Sequence, residues 1–350
     1  MAGKIQGIVR VAIIGSGGIS GAHAEGYIKH ADKIRVAALC DIRPEALKSR
    51  SEQLTKGGCA APATFDDWKR MLRELQGQID AVDICLPHHL HCPAILDAAA
   101  AGLHILCEKP MCMSLEQADQ IAAAVSKTGV TYMSAHNQLF MPVVQEAKRM
   151  IEAGELGRIF HLRSQDCFRI GGTLPQPRPN WGWRADFATQ GGGELIDTGY
   201  HPSYRLLYLA GSPVAAVRAS MTRHRSPIDG EDSASVTVRF AGGAIGEVHS
   251  SWAYQLPYGT HHIHVLGEKG QIFGSDDTLY HLPIGFNEPA KRAFSSVHTF
   301  VAEIGHFADC LREGRRPLHS VEEGRAVLAL ILQAAASAEG WQATAPCAAR

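Results

Sequence analysis

No stretch of the 350-residue chain comes near the ~20 apolar residues that a membrane-spanning helix needs. The opening MAGKIQGIVRVAIIGSGG has too short an apolar run for a secretory signal and passes straight into a glycine turn. Neither sign of charge is in excess: 34 Lys and Arg stand against 35 Asp and Glu, scattered so that no basic face meets a phosphate backbone or an anionic membrane. Nucleic acid and membrane are therefore not expected as partners, and the cytoplasm is the expected location. Low-complexity tracts and internal repeats are missing, and no two cysteines stand as CxxC. The nine cysteines are odd in number, and Cys40, Cys85 and Cys107 each end an apolar run. They read as small buried hydrophobes in a reducing compartment. A length of 350 residues suits two domains better than one core.

From Val9 onward, β-branched runs (VRVAII, IRVAALC, PATF, AVDICLP, HILCE) alternate with helical stretches such as PEALKSRSEQL and DDWKRMLREL. This predicts a doubly wound parallel sheet covered on both faces. Ser114 and Gln117 form a capping box opening a helix that Gly129 ends, and VTYMSAH supplies a sixth strand. Beyond residue 136 the pattern changes to longer, closely spaced strands: RIFHLRSQDCF, SASVTVRF, AIGEVHSSWAY, HHIHVLG and GQIFGS. These predict a large open sheet, mostly antiparallel, in a second α+β domain. The expected division is 1–136 for the parallel sheet and 137–350 for the rest, with the apolar C-terminal helices packing back on the body.

Gly15-Ser-Gly17-Gly18-Ile19-Ser20 follows the first strand and opens a helix, the context of a dinucleotide fingerprint. Gly15 permits the tight turn, Gly17 admits a pyrophosphate, and Ser20 replaces the usual third glycine. Asp41 ends the second strand, where a carboxylate accepts the adenosine ribose hydroxyls and repels a 2′-phosphate. NAD is favoured, and NADP is kept as the second choice because Arg43 is able to welcome that phosphate. The ends of the next strands, Pro87 to His91 and Glu108 to Pro110, should face the nicotinamide half of the crevice. CEKPM thus brings Lys109 to the reacting carbon. Further on, TQGGGELIDTGYHPSYRLL has a flexible triple glycine, with Asp197 and His201 four apart and so on one face of a helical turn. Pro202 must then lie in that helix's first turn.

The fingerprint, CEKP and GGGELIDTGYH, in this order and spacing, resemble the glucose-fructose oxidoreductase/inositol dehydrogenase/rhizopine catabolism family (Gfo/Idh/MocA) over nearly the whole chain. The resemblance implies an N-terminal Rossmann domain and a C-terminal open sheet. It implies a catalytic set of Lys109, Asp197 and His201, with His91, Glu108 and Pro110 bordering the nicotinamide, and a homodimer or homotetramer that covers the open sheet. The chain departs from the pattern at Tyr204, where many members carry an aspartate, and at Leu139.

The expected reaction is oxidation of a secondary hydroxyl of a sugar, anhydrosugar or cyclitol. His201 takes the proton at neutral pH, Lys109 stabilises the alkoxide, and Asp197 holds the imidazole or binds a neighbouring hydroxyl. Asn137, Arg163, Trp183, Arg184 and Tyr254 are the candidate substrate contacts beside Asp197 and His201, with NWGWRAD as a sugar loop. No metal is expected: HHLH at 88–91 and HHIH at 261–264 lack a carboxylate or cysteine at ligand spacing, and strand alternation sends His262 and His264 to one face. The rival readings are an NAD-dependent glycosidase, a dihydrodiol- or biliverdin-type reductase, and a non-catalytic dinucleotide sensor.

Overall fold

The computed structural model describes residues 4–170, 177–257 and 259–339. Strands and helices alternate at first: β1 (Val9–Ile14), α1 (Gly18–Lys29), β2 (Ile34–Cys40), α2 (Pro44–Lys56), β3 (Ala63–Phe65), α3 (Trp68–Glu74), β4 (Ala81–Ile84), α4 (His91–Ala100), β5 (His104–Glu108), α5 (Leu115–Thr128) and β6 (Tyr132–Ala135). All six strands form one parallel sheet in the order β3-β2-β1-β4-β5-β6. β1 and β4 are buried along nearly their whole length, which explains their continuous Val, Ile and Ala rather than an alternating pattern. The chain winds one way from β1 and the other way from β4, so a crevice opens between these neighbours off their carboxyl ends.

The expected cap of α5 is present. Ser114 Oγ accepts from the Gln117 N–H at 3.2 Å, and Gln117 reaches back to the Met113 N–H at 3.0 Å. Gly129 ends the helix in the left-handed region at φ 70°.

The second part contains α6 (Pro142–Glu152), β7 (Ile159–Cys167), two short turns α7 (Phe187–Gln190) and α8 (Glu194–Asp197), α9 (Tyr200–Ala210), β8 (Val214–Thr222), β9 (Ser233–Phe240), β10 (Ile245–Ser251), β11 (Ile263–Gly267), β12 (Gly270–Ser275), β13 (Thr278–Pro283), β14 (Ala290–Ala293), α10 (Thr299–Glu313) and α11 (Val321–Glu339). Its eight strands run β14-β13-β12-β11-β7-β10-β9-β8, antiparallel except where β7 and β10 pair in parallel. Alternation along these strands sends Leu162, Val236, Val238, Val248, Ile263 and Val265 to a buried face under α6 and α9. Arg163, Thr237, Arg239 and Glu247 lie on the opposite face, which nothing among the described residues covers to the same extent.

One expectation about this sheet is corrected. β11 begins at Ile263, so strict alternation does not reach back to 261 and 262. His261 and His264 both lie against Phe273, at 5.0 and 5.7 Å between ring centres, whereas His262 turns to Asp166.

The C-terminal helices return to the first sheet. α10 packs on α1, where a Cβ on Gly26 would come within 2.6 Å of Ile304, and Lys33 Nζ bonds Asp309 at 2.9 Å. α11 lies against α5, α9 and β8. Among the described residues no helix is long and apolar enough to cross a membrane.

Candidate active site

The turn after β1 fits a dinucleotide closely. Gly15 has φ +95°, and a Cβ there would strike the Cys85 carbonyl, so the turn tolerates glycine alone. A Cβ on Gly18 would meet nothing within 4 Å, which leaves the start of α1 open to a ligand, and Ile19 beside it is exposed. Ser20 is fully buried. Its hydroxyl donates to the Gly17 carbonyl at 2.7 Å and accepts from Arg50 Nε at 3.0 Å, so the serine in the third fingerprint position serves as a fastening point. Arg50 also donates to the Gly17 carbonyl at 2.9 Å, a support that no sequence motif announces.

Asp41 stands just past β2 and already works within the loop. Its carboxylate accepts the Ser16 N–H at 2.8 Å and the Arg43 N–H at 2.9 Å, and the Arg43 guanidinium lies over it at 3.2 Å. Arg43 is thus paired with Asp41. Its pKa is raised by that hydrogen bond and by the charge of Asp41.

The strand-end residues separate into two groups. Lys109 points to the crevice and bonds Asp197, which α8 carries, at 2.8 Å to the carboxylate and 2.9 Å to the backbone carbonyl. Glu108 instead turns inward, with His23 Nε2 at 3.0 Å from one oxygen and the Lys109 N–H at 3.0 Å from the other. His91, which follows the Pro87 turn, is fully buried between the carbonyls of Pro110 (2.6 Å) and Leu86 (2.8 Å). His91 and Glu108, expected to border the nicotinamide, thus have their side chains engaged within the protein. Both brace the loop that carries Lys109.

His23 itself escaped sequence reasoning. On α1 the buried positions Ser20, His23, Ala24 and Tyr27 form one stripe, and a histidine in such a stripe demands partners. It has them in Asp83 Oδ2 at 2.9 Å and Glu108, with Tyr27 donating to the same Asp83 oxygen at 2.9 Å. Burial alone would lower the pKa of His23, but Asp83 and its neighbours raise it well above 6.5. His23, Asp83 and Cys85 present possible ligand atoms within 4.8 Å of one another, with both His23 nitrogens already engaged by carboxylates.

The triple glycine is rigid rather than flexible. A Cβ on Gly193 would collide with the Glu231 backbone, and one on Gly230 with Gly192, so two backbones pack face to face. The Glu194 N–H donates to the Glu231 carbonyl at 2.8 Å, which fixes α8 and presents Asp197. Asp197 is 2% exposed, and its second oxygen accepts from Arg184 Nε at 2.5 Å. Burial would raise its pKa; Lys109 and Arg184 overcome that and hold the carboxyl well below the usual range. Arg184 stacks over Trp183 at 4.2 Å, and Trp183 meets the edge of His88 at 4.5 Å.

His88 belongs to this cluster although HHLH suggested nothing of the kind. Its Nδ1 lies 2.7 Å from the Gln190 carbonyl, and His89 Nδ1 lies 3.3 Å from the Thr189 carbonyl, so two adjacent histidines fasten the glycine loop to the end of β4. Burial pushes His88 down to about 3, so the ring is neutral.

His201 sits in the first turn of α9, with Pro202 next to it as helix geometry requires. Its imidazole does not touch Asp197 through any hydrogen bond among the described residues. Nδ1 lies 2.7 Å from the Tyr204 hydroxyl instead; of the two roles expected of Asp197, holding the ring or binding a neighbouring hydroxyl, the first is not what this geometry shows. Burial first, then the charges of Lys109 and Arg205, keep His201 well below 6.5.

Three of the proposed substrate contacts are placed elsewhere. Arg163 is on the outer sheet face, paired with Glu247 at 2.8 Å. Tyr254 bonds His249 on that same face at 2.9 Å, away from the side that carries α9. Asn137 is 6% exposed and gives its amide to Thr299 at 2.9 Å and its oxygen to Tyr204 at 3.5 Å. Alternation along β7 sets the side on which Arg163 lies, whereas Tyr254 stands past the end of β10 and Asn137 in the turn after β6, where no such alternation applies. Lys109, Asp197, Arg184, Trp183, His88 and His201 are the residues that converge.

Comparison with known proteins concerns the chain as a whole. The oxidoreductase family with an NAD-binding Rossmann fold, GFO/IDH/MocA, matches residues 9–136, and the GFO/IDH/MocA C-terminal domain matches residues 144–273. The chain is 29% identical to scyllo-inositol 2-dehydrogenase (NAD(+)) of Bacillus subtilis, over 89% of this chain and 88% of that protein. It is 28% identical to levoglucosan dehydrogenase of Pseudarthrobacter phenanthrenivorans, over 83% and 80%. A solved structure of levoglucosan dehydrogenase in complex with NADH and levoglucosan shares the fold with a TM-score of 0.84 at 23% identity, covering 95% of this chain and 97% of that one. With both halves matched, the chain belongs to the Gfo/Idh/MocA family of NAD-binding oxidoreductases.

Proposed function

We propose that this NAD-dependent oxidoreductase removes hydrogen from a secondary hydroxyl of a sugar, anhydrosugar or cyclitol, with His201 as base and Lys109 as the cation at the reacting oxygen. The reading is carried by the Lys109–Asp197 pair at 2.8 Å, which joins the end of β5 to α8 at the mouth of the dinucleotide crevice. Bound NAD supplies the hydride acceptor. The residues do the rest: a neutral His201 accepts the hydroxyl proton, and Lys109 stabilises charge as it develops on oxygen, which is worth roughly 3–4 kcal/mol of barrier. Asp197 holds and aims the Lys109 side chain. Trp183 and Arg184 offer an aromatic face and donors to ring hydroxyls, and His88 offers a neutral nitrogen.

Residues 1–136 form the dinucleotide-binding unit in this reading and residues 137–350 the substrate and assembly unit. The outer face bearing Arg163, Glu247 and His249 is the surface for a homodimer or homotetramer. The eight described cysteines, all free, accord with a cytoplasmic location. NADH formation across a panel of pyranoses, anhydrosugars, inositols and sugar acids, with NAD and NADP in parallel, tests the reaction. A ring polyol that yields stoichiometric NADH supports it. Turnover of a glycoside with no net NADH would overturn it in favour of a glycosidase.

A further inference from the structure

The Tyr204 hydroxyl meets three polar groups at once. The Gln138 backbone N–H donates to it at 3.1 Å, His201 Nδ1 lies 2.7 Å away, and Asn137 Oδ1 lies 3.5 Å away. A phenol has one proton to give and two lone pairs to receive. The Gln138 N–H takes one lone pair. Asn137 directs its Nδ2 to Thr299 Oγ1 at 2.9 Å, so its amide oxygen faces the phenol, and an amide oxygen can only accept. Tyr204 then gives its proton to Asn137 and has one lone pair left for His201. That contact is a hydrogen bond only if His201 carries its proton on Nδ1. The opposite assignment spends the phenol proton on His201 and leaves the buried Asn137 oxygen with none from this hydroxyl.

We propose that Tyr204, oriented by Asn137 and Gln138, is a positioning residue that keeps His201 in the Nδ1–H tautomer, so that Nε2 offers its lone pair to the substrate hydroxyl. The proposal rests on the reading of His201 as the base. Tyr204 itself is well held: it is fully buried, and the His136 ring stacks on it at 4.3 Å with 9° between planes. The charged and titratable groups around His201 are Lys109, Asp197, Arg205 and His136, and those around Tyr204 include Arg205, Asp166 and Glu303. A phenol oxygen accepts the Nδ1 proton without bringing a negative charge. It therefore selects the tautomer and leaves the imidazole easy to deprotonate, where a carboxylate in the same place would hold the imidazolium.

The test is the tautomer itself, read from two-bond proton–nitrogen couplings in the histidine-labelled wild-type protein near neutral pH, with H201N to assign the signal. The Nδ1–H pattern is expected for His201, and an Nε2–H pattern overturns the proposal. The wild-type measurement needs no variant to fold. Y204F, which keeps the ring that stacks on His136, should give a mixed or Nε2–H signal. Its kcat should fall roughly ten- to a hundredfold, less than the ~10²–10⁴ that the positioned base itself is worth, with KM changed far less. N137D, whose oxygens accept in either orientation, should preserve the Nδ1–H signal. Y204F with wild-type tautomer and wild-type kcat overturns the role of Tyr204. If H201N itself keeps wild-type kcat, the base assignment fails, and the proposal that rests on it fails for that separate reason.

Discussion

Lys109 grips Asp197 twice, once at a carboxylate oxygen and once at the backbone carbonyl of the same residue, 2.8 and 2.9 Å away. A surface ion pair would hold one contact loosely. Two contacts to one residue fix both the position and the direction of the ammonium. The crevice therefore has its cation in place before substrate arrives, which is the preorganisation that electrostatic catalysis needs.

Lys109→Ala removes that cation and leaves Asp197 with Arg184 alone. The expected result is a kcat lower by roughly two to three orders of magnitude, with NAD still bound, because the fingerprint loop is untouched. Steady-state rates together with NAD binding by calorimetry check this. A kcat within a fewfold of wild type would take Lys109 out of the chemistry.

His201 is held well below its ordinary 6.5 by burial and by Lys109 and Arg205. The base thus remains unprotonated as pH falls past 6.5, and kcat/KM should stay flat from neutral pH into that region before it declines. A pH profile that is already half lost at or above 6.5 would contradict the environment described for the imidazole.

Stability should follow pH in a related way. His88 titrates at about 3 and His319 at about 4, and His136 is also held well below 6.5, all three by burial first. Once unfolded, these rings bind protons near 6.5. Between 6.5 and about 4 the unfolded chain therefore takes up more protons than the native one, and stability falls as pH falls, by about 1.4 kcal/mol per pH unit for each such ring. His23 runs the other way, since its raised pKa contributes stability that is complete below 6.5 and lost only as pH rises through the folded value. Urea midpoints from pH 7 to about pH 4.5 measure the balance. A midpoint that stays level or rises on acidification would show that the three rings are not neutral in the native state.

Asp41→Ser removes the carboxylate from the Ser16 and Arg43 N–H groups and frees the Arg43 guanidinium. The KM for NAD should rise by roughly tenfold, and the preference for NAD over NADP should narrow or reverse. Parallel KM determinations for the two cofactors decide it, and an unchanged ratio would remove Asp41 from cofactor selection.

Much of the fold could be read directly from residue patterns. Fully buried parallel strands write themselves as unbroken β-branched runs, and Ser114, Gln117 and Gly129 mark the ends of α5 through local hydrogen bonds. The motifs carrying Lys109, Asp197 and His201 were legible because they are compact. The contacts between motifs were not. Nothing in the spacing of Arg163 tells which face of its sheet it occupies, since a strand presents both, and Tyr254 lies beyond the end of β10, where strand alternation no longer applies. Nor does GYHPSY indicate that its second tyrosine, rather than Asp197, receives the His201 ring. His23 was detectable in principle as the one imidazole on the buried stripe of α1, but Asp83 and Glu108 reach it from other strands.

The packing of α10 against α1 affects how the enzyme is made. Ile304, Phe307, Ala308 and Leu311 share a core with Val9, Val11, Ile13 and Leu39. A ribosome releases all six parallel strands and the complete fingerprint long before it releases these four residues. The nascent chain therefore spends the synthesis of the whole second sheet with one side of its first sheet unroofed, exposed to chaperones and to other nascent chains. A fragment ending at residue 136 has every residue of the dinucleotide loop and lacks the helix that covers α1 and this side of β1.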